Sequence, residues 1–287
     1  LTFFEQRSAK AAWSYRIAVL GFLGFAGTFV WHRFFDLQPP LALKMFGGAV
    51  ALAIAALALA ASALVDIWNE GRSGAVRASA AVFISAGVLA VPLWWLPVLM
   101  HLPRIYDVTT DPANPPAFDR IAKIRQGQAN PARYDPSFRP LQLAGYPDIK
   151  PLTVSRPLTE VYMAVRETAK ELNWKIIGDQ SPETARSGYI EAVDRTWLFG
   201  FTDDVAIRIT GSARAARIDI RSSSRFGQHD LGRNAERIRT FLAQVKTRLT
   251  QIERAERMER VAAARAAAEK DDPRRRRGGK KGDDSDN

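Results

Sequence analysis

Hydrophobic positions divide this chain before anything else does. Met45 to Val65 is a run of 21 residues without a charge, and Ala78 to Met100 is a second of 23. A helix needs about 20 apolar residues to cross roughly 30 Å of hydrocarbon. Both runs therefore predict spanning helices, over about residues 43–66 and 78–101. A third run, Ile17 to Trp31, has 15 uncharged residues behind Arg16. A basic side chain at a helix end reaches back to the headgroups, which predicts a span over about residues 11–31. No small-residue cleavage pattern separates this run from the next, so it is expected to stay as an anchor. Pro92 and Pro97 lie late in the last of the three helices and are expected to kink its C-terminal end.

Beyond the helices the pattern changes twice. Ten of the sixteen prolines fall between Pro103 and Pro157, which forbids regular helix and interior strand. Residues 104–151 read as a Pro-rich linker and domain entry, either a spacer or a docking strip along the domain or a partner. From 152 to 249 the periods are those of a folded domain. Leu158, Val161, Val165, Ala169 and Leu172 recur at helical steps behind Pro157. Trp174–Ile177, Gly188–Asp194, Val205–Ile209 and Arg217–Arg221 read as strands; the last two alternate, and Gly211–Arg214 between them suits a hairpin. A second helix is expected from Asp230, with Leu231, Ala235, Ile238, Leu242, Val245, Leu249 and Ile252 on one face. The order predicts an α+β domain with an antiparallel sheet and helices on one face, about 100 residues and enough for one core. Residues 250–287 read as a charged helical extension with i,i+4 pairs, then a disordered basic tail carrying Arg274 to Arg277.

Composition sharpens the membrane reading. Five of the seven Trp (Trp13, Trp31, Trp68, Trp94, Trp95) lie in the first hundred residues, mostly where helix ends meet headgroups. Arg7, Lys10, Arg16, Arg72 and Arg77 flank one side of the three spans, and Arg33, Lys44 and Arg104 flank the other. The excess predicts a multi-pass protein of the cell inner membrane, N-terminus cytoplasmic and C-terminal domain periplasmic. The net charge of +11 and pI near 10.2 then follow from an anchor and a mildly basic domain rather than from nucleic-acid binding, which is not expected. The chain has no Cys, which removes disulfides, thiolate chemistry and Cys-based metal sites. Three His are too few for a His-cluster metal site, and neither metal nor cofactor is expected.

Two stretches carry a family resemblance: Tyr106 to Pro116 (YDVTTDPANPP), and WLFGFTDDVAIR from Trp197 with DIRSSSRFGQHDLGRNAERIR from Asp219. Over roughly Ile105 to Leu249 the chain resembles the bacterial and plastid family catalogued as domain of unknown function 1499. The resemblance implies a membrane-anchored protein with its domain on the outer side of an energy-transducing membrane. It implies no chemistry.

Candidate sites follow from local pattern. Arg221, Ser224, Arg225, Asp230 and Asn234 surround a predicted helix N-terminus, where free N–H groups and two arginines suit an anion or a partner. A structural reading competes: the arginines pair with Asp203, Asp204 or Asp230, and Asp230 caps the helix. Trp174, Trp197, Phe199 and Phe201 are candidates for an apolar ligand cavity, against plain core or membrane contact. His229-Asp230 beside Ser222 to Ser224 invites a hydrolase triad, but no nucleophile elbow surrounds those serines. The expectation is a non-catalytic membrane protein whose domain binds a protein or cell-envelope component. The alternatives are a lipid-binding module of helix-grip type and, last, a periplasmic hydrolase.

Overall fold

The computed structural model describes residues 6–35, 37–125, 130–182, 187–196 and 200–270. Three long helices come first: α1 (Ala9–Phe34), α2 (Pro39–Glu70) and α3 (Ala75–His101). Each is long and apolar enough to cross a membrane. Their packing is that of helices solvated by lipid. The buried positions are small: Ala42, Ala49, Ala53, Ala56, Ala60 and Ala63 line one stripe of α2, facing Ala11, Ser14, Ala18 and Gly21 of α1. A Cβ on Gly21 would lie 3.3 Å from the Ala49 carbonyl oxygen, so the backbones approach closely there. The large apolar side chains point outward instead, among them Leu20, Phe22, Leu23, Ile54 and Phe83. In water that arrangement is inverted; in hydrocarbon, small residues at the seam are what bring helices together. Trp13 and Trp68 are exposed at one end of the bundle, and Trp31 and Trp94 towards the other. At the first end, Lys10 Nζ lies 2.7 Å from Asp66 and donates to Ser62 Oγ at 3.0 Å. Helix α3 continues through Pro92 and Pro97 to His101.

The remaining elements are β1 (Asp107–Thr109), α4 (Arg120–Ile124), α5 (Phe138–Gly145), β2 (Leu152–Val154), α6 (Leu158–Glu171), β3 (Lys175–Gln180), β4 (Ser187–Arg195), β5 (Thr202–Gly211), β6 (Ala216–Ser224) and α7 (Arg233–Lys270). The strands form one antiparallel sheet in the order β1-β6-β5-β4-β3, with β2 also on the β1 edge of β6. Tight turning between β5 and β6 depends on Gly211, because a Cβ there would meet the Ala215 carbonyl oxygen at 2.3 Å. Helix α7 starts three residues after Asp230. Leu231 (φ 55°) and Gly232 (φ 78°) are left-handed, and Asp230 accepts the N–H groups of Gly232 and Asn234 from outside the helix.

Alternation along the strands separates two faces. On one, Ile190, Val205, Ile207, Ile209, Ile218 and Ile220 pack against Val161 and Val165 of α6 and Ile238, Phe241 and Val245 of α7. Each such side chain, fully buried, contributes about 1.5–3 kcal/mol. The opposite face is covered by the Pro-rich strip, with Phe118, Ile121 and Ala206 in a smaller core. Glu191 of β4 pins that cover. Its carboxylate accepts the N–H groups of Asp119 and Arg120 at 3.0 Å each and of Ile121 at 2.7 Å, holding the first turn of five-residue α4 onto the sheet.

The strip is therefore packed along the domain from Ile105 onward and is not a spacer. Ile105, Val108, Tyr146 and Ile149 belong to the main core, and Asp107–Thr109 is an edge strand paired with Arg221–Ser223. The expectation that proline forbids helix there is corrected: Pro140 sits in the first turn of α5, where no intrahelical N–H is needed, and proline also permits edge pairing or irregular chain laid over a sheet. The domain touches the anchor at two places. The His32 ring packs on Phe201 with centroids 4.9 Å apart, at the end of α1. Beyond α3, Leu102 and Pro103 lie against Gly232 and Gly145, and His229 Nε2 is 3.3 Å from the Leu102 carbonyl oxygen. Both contacts are at C-terminal helix ends, so they are at the same end of the bundle.

Candidate functional site

Of the five residues expected around the start of α7, Ser224, Asp230 and Asn234 come together and the two arginines lie on the other face of the sheet. Alternation along β6 sends Arg221 to the strip face and Ser222 and Ser224 to the helix face. Arg221 is fully buried: its Nε and Nη2 donate to Asp107 at 2.9 and 2.6 Å, and the rest of its guanidinium donates to the carbonyls of Pro116 and Ala132. Its plane lies over the Phe118 ring at 4.5 Å. Arg225 donates to Asp204 through Nε at 3.0 Å and Nη2 at 2.7 Å, and the same carboxylate takes Arg125 Nε at 2.6 Å. On the other face, Asn234 donates to Ser224 Oγ and to the Tyr106 carbonyl, and accepts from Ser222. The chain's own carboxylates thus take up the arginines, and Asp230 takes up the helix N–H groups. Burial pushes the Asp230 carboxyl above the usual range, with those two N–H groups pulling it back. Arg237, which the sequence pattern did not single out, is the hub of this face: it donates to Asp203 at 2.6 Å, to Asp194 at 2.7 Å, and to Ser222 and Asn234.

The expected apolar cavity fares similarly. Trp174 stacks on Phe241 at 5.0 Å and 20°, both buried in the main core. Phe201 is at the α1 contact instead, and Trp197 and Phe199 lie outside the described residues. A helix-grip ligand occupies the space between sheet and helix; here the isoleucines and valines of the sheet meet α6 and α7 directly. Nor does His229 meet a serine. Its Nδ1 accepts the Leu231 N–H at 2.9 Å and its Nε2 faces the Leu102 carbonyl, while Ser222 bonds to Asn234 and Arg237.

What the fold builds instead is a cleft of about 620 Å³ in the Pro-rich cover. Its lining includes Pro112, Pro115, Phe118, Ala132, Tyr134 and Pro136, with Arg133 and Arg139. These two arginines are exposed and have no carboxylate partner among the described residues, unlike Arg221 and Arg225 beneath them. Tyr134 is buried, and its hydroxyl has no hydrogen-bond partner among the described residues. Burial and the nearby Asp107 push that phenol up to about 12. That buried hydroxyl beside those two guanidiniums is an arrangement that suits an acceptor-rich, anionic group. Sequence reading missed it because its walls come from the strip taken as a linker; the uncompensated Arg133 and Arg139 among prolines were the available signal.

Residues 107–245 match the family described as protein of unknown function (DUF1499). The domain is a DUF1499 domain. The matched span begins at β1 and ends within α7, so the strip and its cleft are inside the family unit. No curated protein matches the chain. The DUF1499 domain here is thus a sheet with helices on one face, a pinned proline-rich cover on the other, and a cleft in that cover.

Proposed function

We propose that this chain is a multi-pass inner-membrane protein whose DUF1499 domain is a non-catalytic binding module for an acidic protein or cell-envelope component on the periplasmic side. The observation that carries the binding reading is the cleft, with Tyr134, Arg133 and Arg139 in its lining and, among the described residues, no hydrogen-bond partner for the Tyr134 hydroxyl and no carboxylate partner for either arginine. Two exposed guanidiniums on a preformed apolar wall select anionic groups by bidentate hydrogen bonds. The five basic residues flanking the bundle end away from the domain, against three on the domain's side, support a periplasmic domain.

The test is photo-crosslinking in native membranes, with a photoreactive residue placed at Ala113 or Pro136 and, as a control, at Arg214 on the β5–β6 turn. The expected result is a discrete adduct from the cleft positions that Arg133→Glu with Arg139→Glu abolishes and the control lacks. Equal labelling at all three positions, or an adduct indifferent to charge reversal, sinks the reading. A periplasm-dependent reporter fused after Asn287 tests the topology and is expected to be active.

A further inference from the structure

Helix α5 turns an apolar surface outward. Its inward face carries Phe138, packed against the main core and edge-on to Tyr106, and Gln142, fully buried, which accepts the Thr109 N–H at 3.0 Å and donates to the Thr109 carbonyl at 2.7 Å. Its outward face is Pro140, Leu141, Leu143 and Ala144, all exposed, with Leu141 at 45% and Leu143 at 52%. With Phe138 already packed inward, Leu141 and Leu143 form a second apolar surface that no part of the domain covers among the described residues.

Position says what surrounds that surface. Gly145, the last residue of α5, lies against Pro103, two residues beyond the end of α3; a Cβ there would be 2.6 Å from the proline ring. Leu99 and Met100, in the last turn of α3, are also exposed. The apolar outer surface of a helix able to span a membrane therefore continues onto α5. Arg104 flanks it, exposed and with no carboxylate partner among the described residues. Apolar surface bordered by a basic side chain is the pattern of a segment lying in the headgroup layer.

We infer that α5 is a membrane-seating helix: Leu141 and Leu143 enter the interfacial layer of the bilayer that holds α3, and Arg104 meets lipid phosphates. The domain is then fixed on the membrane surface. The ten residues from Thr202 to Gly211 lead from the α1 contact at Phe201 to the β5–β6 turn over about 30 Å of strand. The inference rests on the anchor reading, but neither on the side the domain faces nor on the cleft's ligand.

Because the chain has no cysteine, single-cysteine probes are clean. Full-length Leu141→Cys, Leu143→Cys, Phe83→Cys and Ser212→Cys proteins are each labelled with a polarity-sensitive fluorophore. They are then reconstituted in phosphatidylcholine–phosphatidylglycerol vesicles containing lipids spin-labelled near the headgroup or deep in the chain. Phe83, exposed about two turns into α3, reports the span, and Ser212 reports solvent. The inference expects 141 and 143 to be blue-shifted and quenched several-fold more by shallow labels than Ser212 is, with Phe83 quenched by deep labels. If 141 and 143 behave like Ser212 while Phe83 is quenched, the anchor stands and the seating helix falls. Blue-shifted but unquenched labels at 141 and 143 mean a protein contact covers α5, which also overturns it. An unquenched Phe83 removes the anchor reading and this inference with it.

Discussion

Arg221 and Arg225 are four residues apart and both pair with aspartates, yet their removal is expected to differ several-fold in cost. Arg221→Ala leaves the Asp107 carboxylate fully buried with no cation in contact, and strips the carbonyls of Pro116 and Ala132 of donors. Breaking a buried pair from one side costs about 3–5 kcal/mol. Arg225→Ala leaves Asp204 still paired with Arg125 at 2.6 Å, and about 1 kcal/mol is expected. Denaturant unfolding in detergent, followed by Trp fluorescence, measures both; equal losses contradict the assignment. The tyrosines give a pH test. Burial raises the phenols of Tyr134, Tyr146 and Tyr189, and Tyr134 is pushed up to about 12. A phenol whose proton is held more tightly in the folded state stabilises it fully below its ordinary value of 10. That contribution is lost as pH rises through the folded value. Stability is therefore expected to fall between pH 10 and about 12, and less so in Tyr134→Phe. Phenolate absorbance should show these groups titrating late in the folded protein and together on unfolding.

At the scale of elements, β1 decides where the domain begins. It is three residues long, but it supplies Val108 to the core, Asp107 to Arg221, and the Thr109 backbone to Gln142. A fragment starting at Arg104 is expected to fold cooperatively, whereas one starting at Asp111 is expected to lose at least as much stability as Arg221→Ala; circular dichroism melts compare them. Alternation and helical period made β4, β5, β6, α6 and α7 legible, because each buries a regular stripe. The elements that escaped, β1, α4 and α5, are too short to show a period. They are held by long-range partners instead: Glu191 holds α4 from 70 residues away, and Gln142 holds α5 on Thr109. The same reason hid the cleft. Arg221 and Arg225 were conspicuous because they stand next to each other in sequence with serines between; Arg133 and Arg139 matter because Phe118 and Pro112 fold over beside them.

For the whole molecule, the three apolar runs were readable from length alone, and the structure adds how they meet. Alanine stripes in α1 and α2 bring backbones together while leucines and phenylalanines face outward. An odd number of spans puts the ends of α1 and α3 together, and the domain touches both. The tetra-arginine tail, read as a solvated basic segment, lies outside the described residues.

Helix α7 begins beside Leu102 and runs for 38 residues, so its far end is about 57 Å from its start. The sheet stops near Leu249, the last residue of α7 in the main core, and the helix continues beyond it to Lys270. Tension between the bilayer and anything gripping that far end enters the domain through β1 and leaves through α7. Between those two points lie the β1–β6 hydrogen bonds and the contacts of Arg237 with Asp194 and Asp203, so such a load would be carried by the sheet and not by the two ends alone.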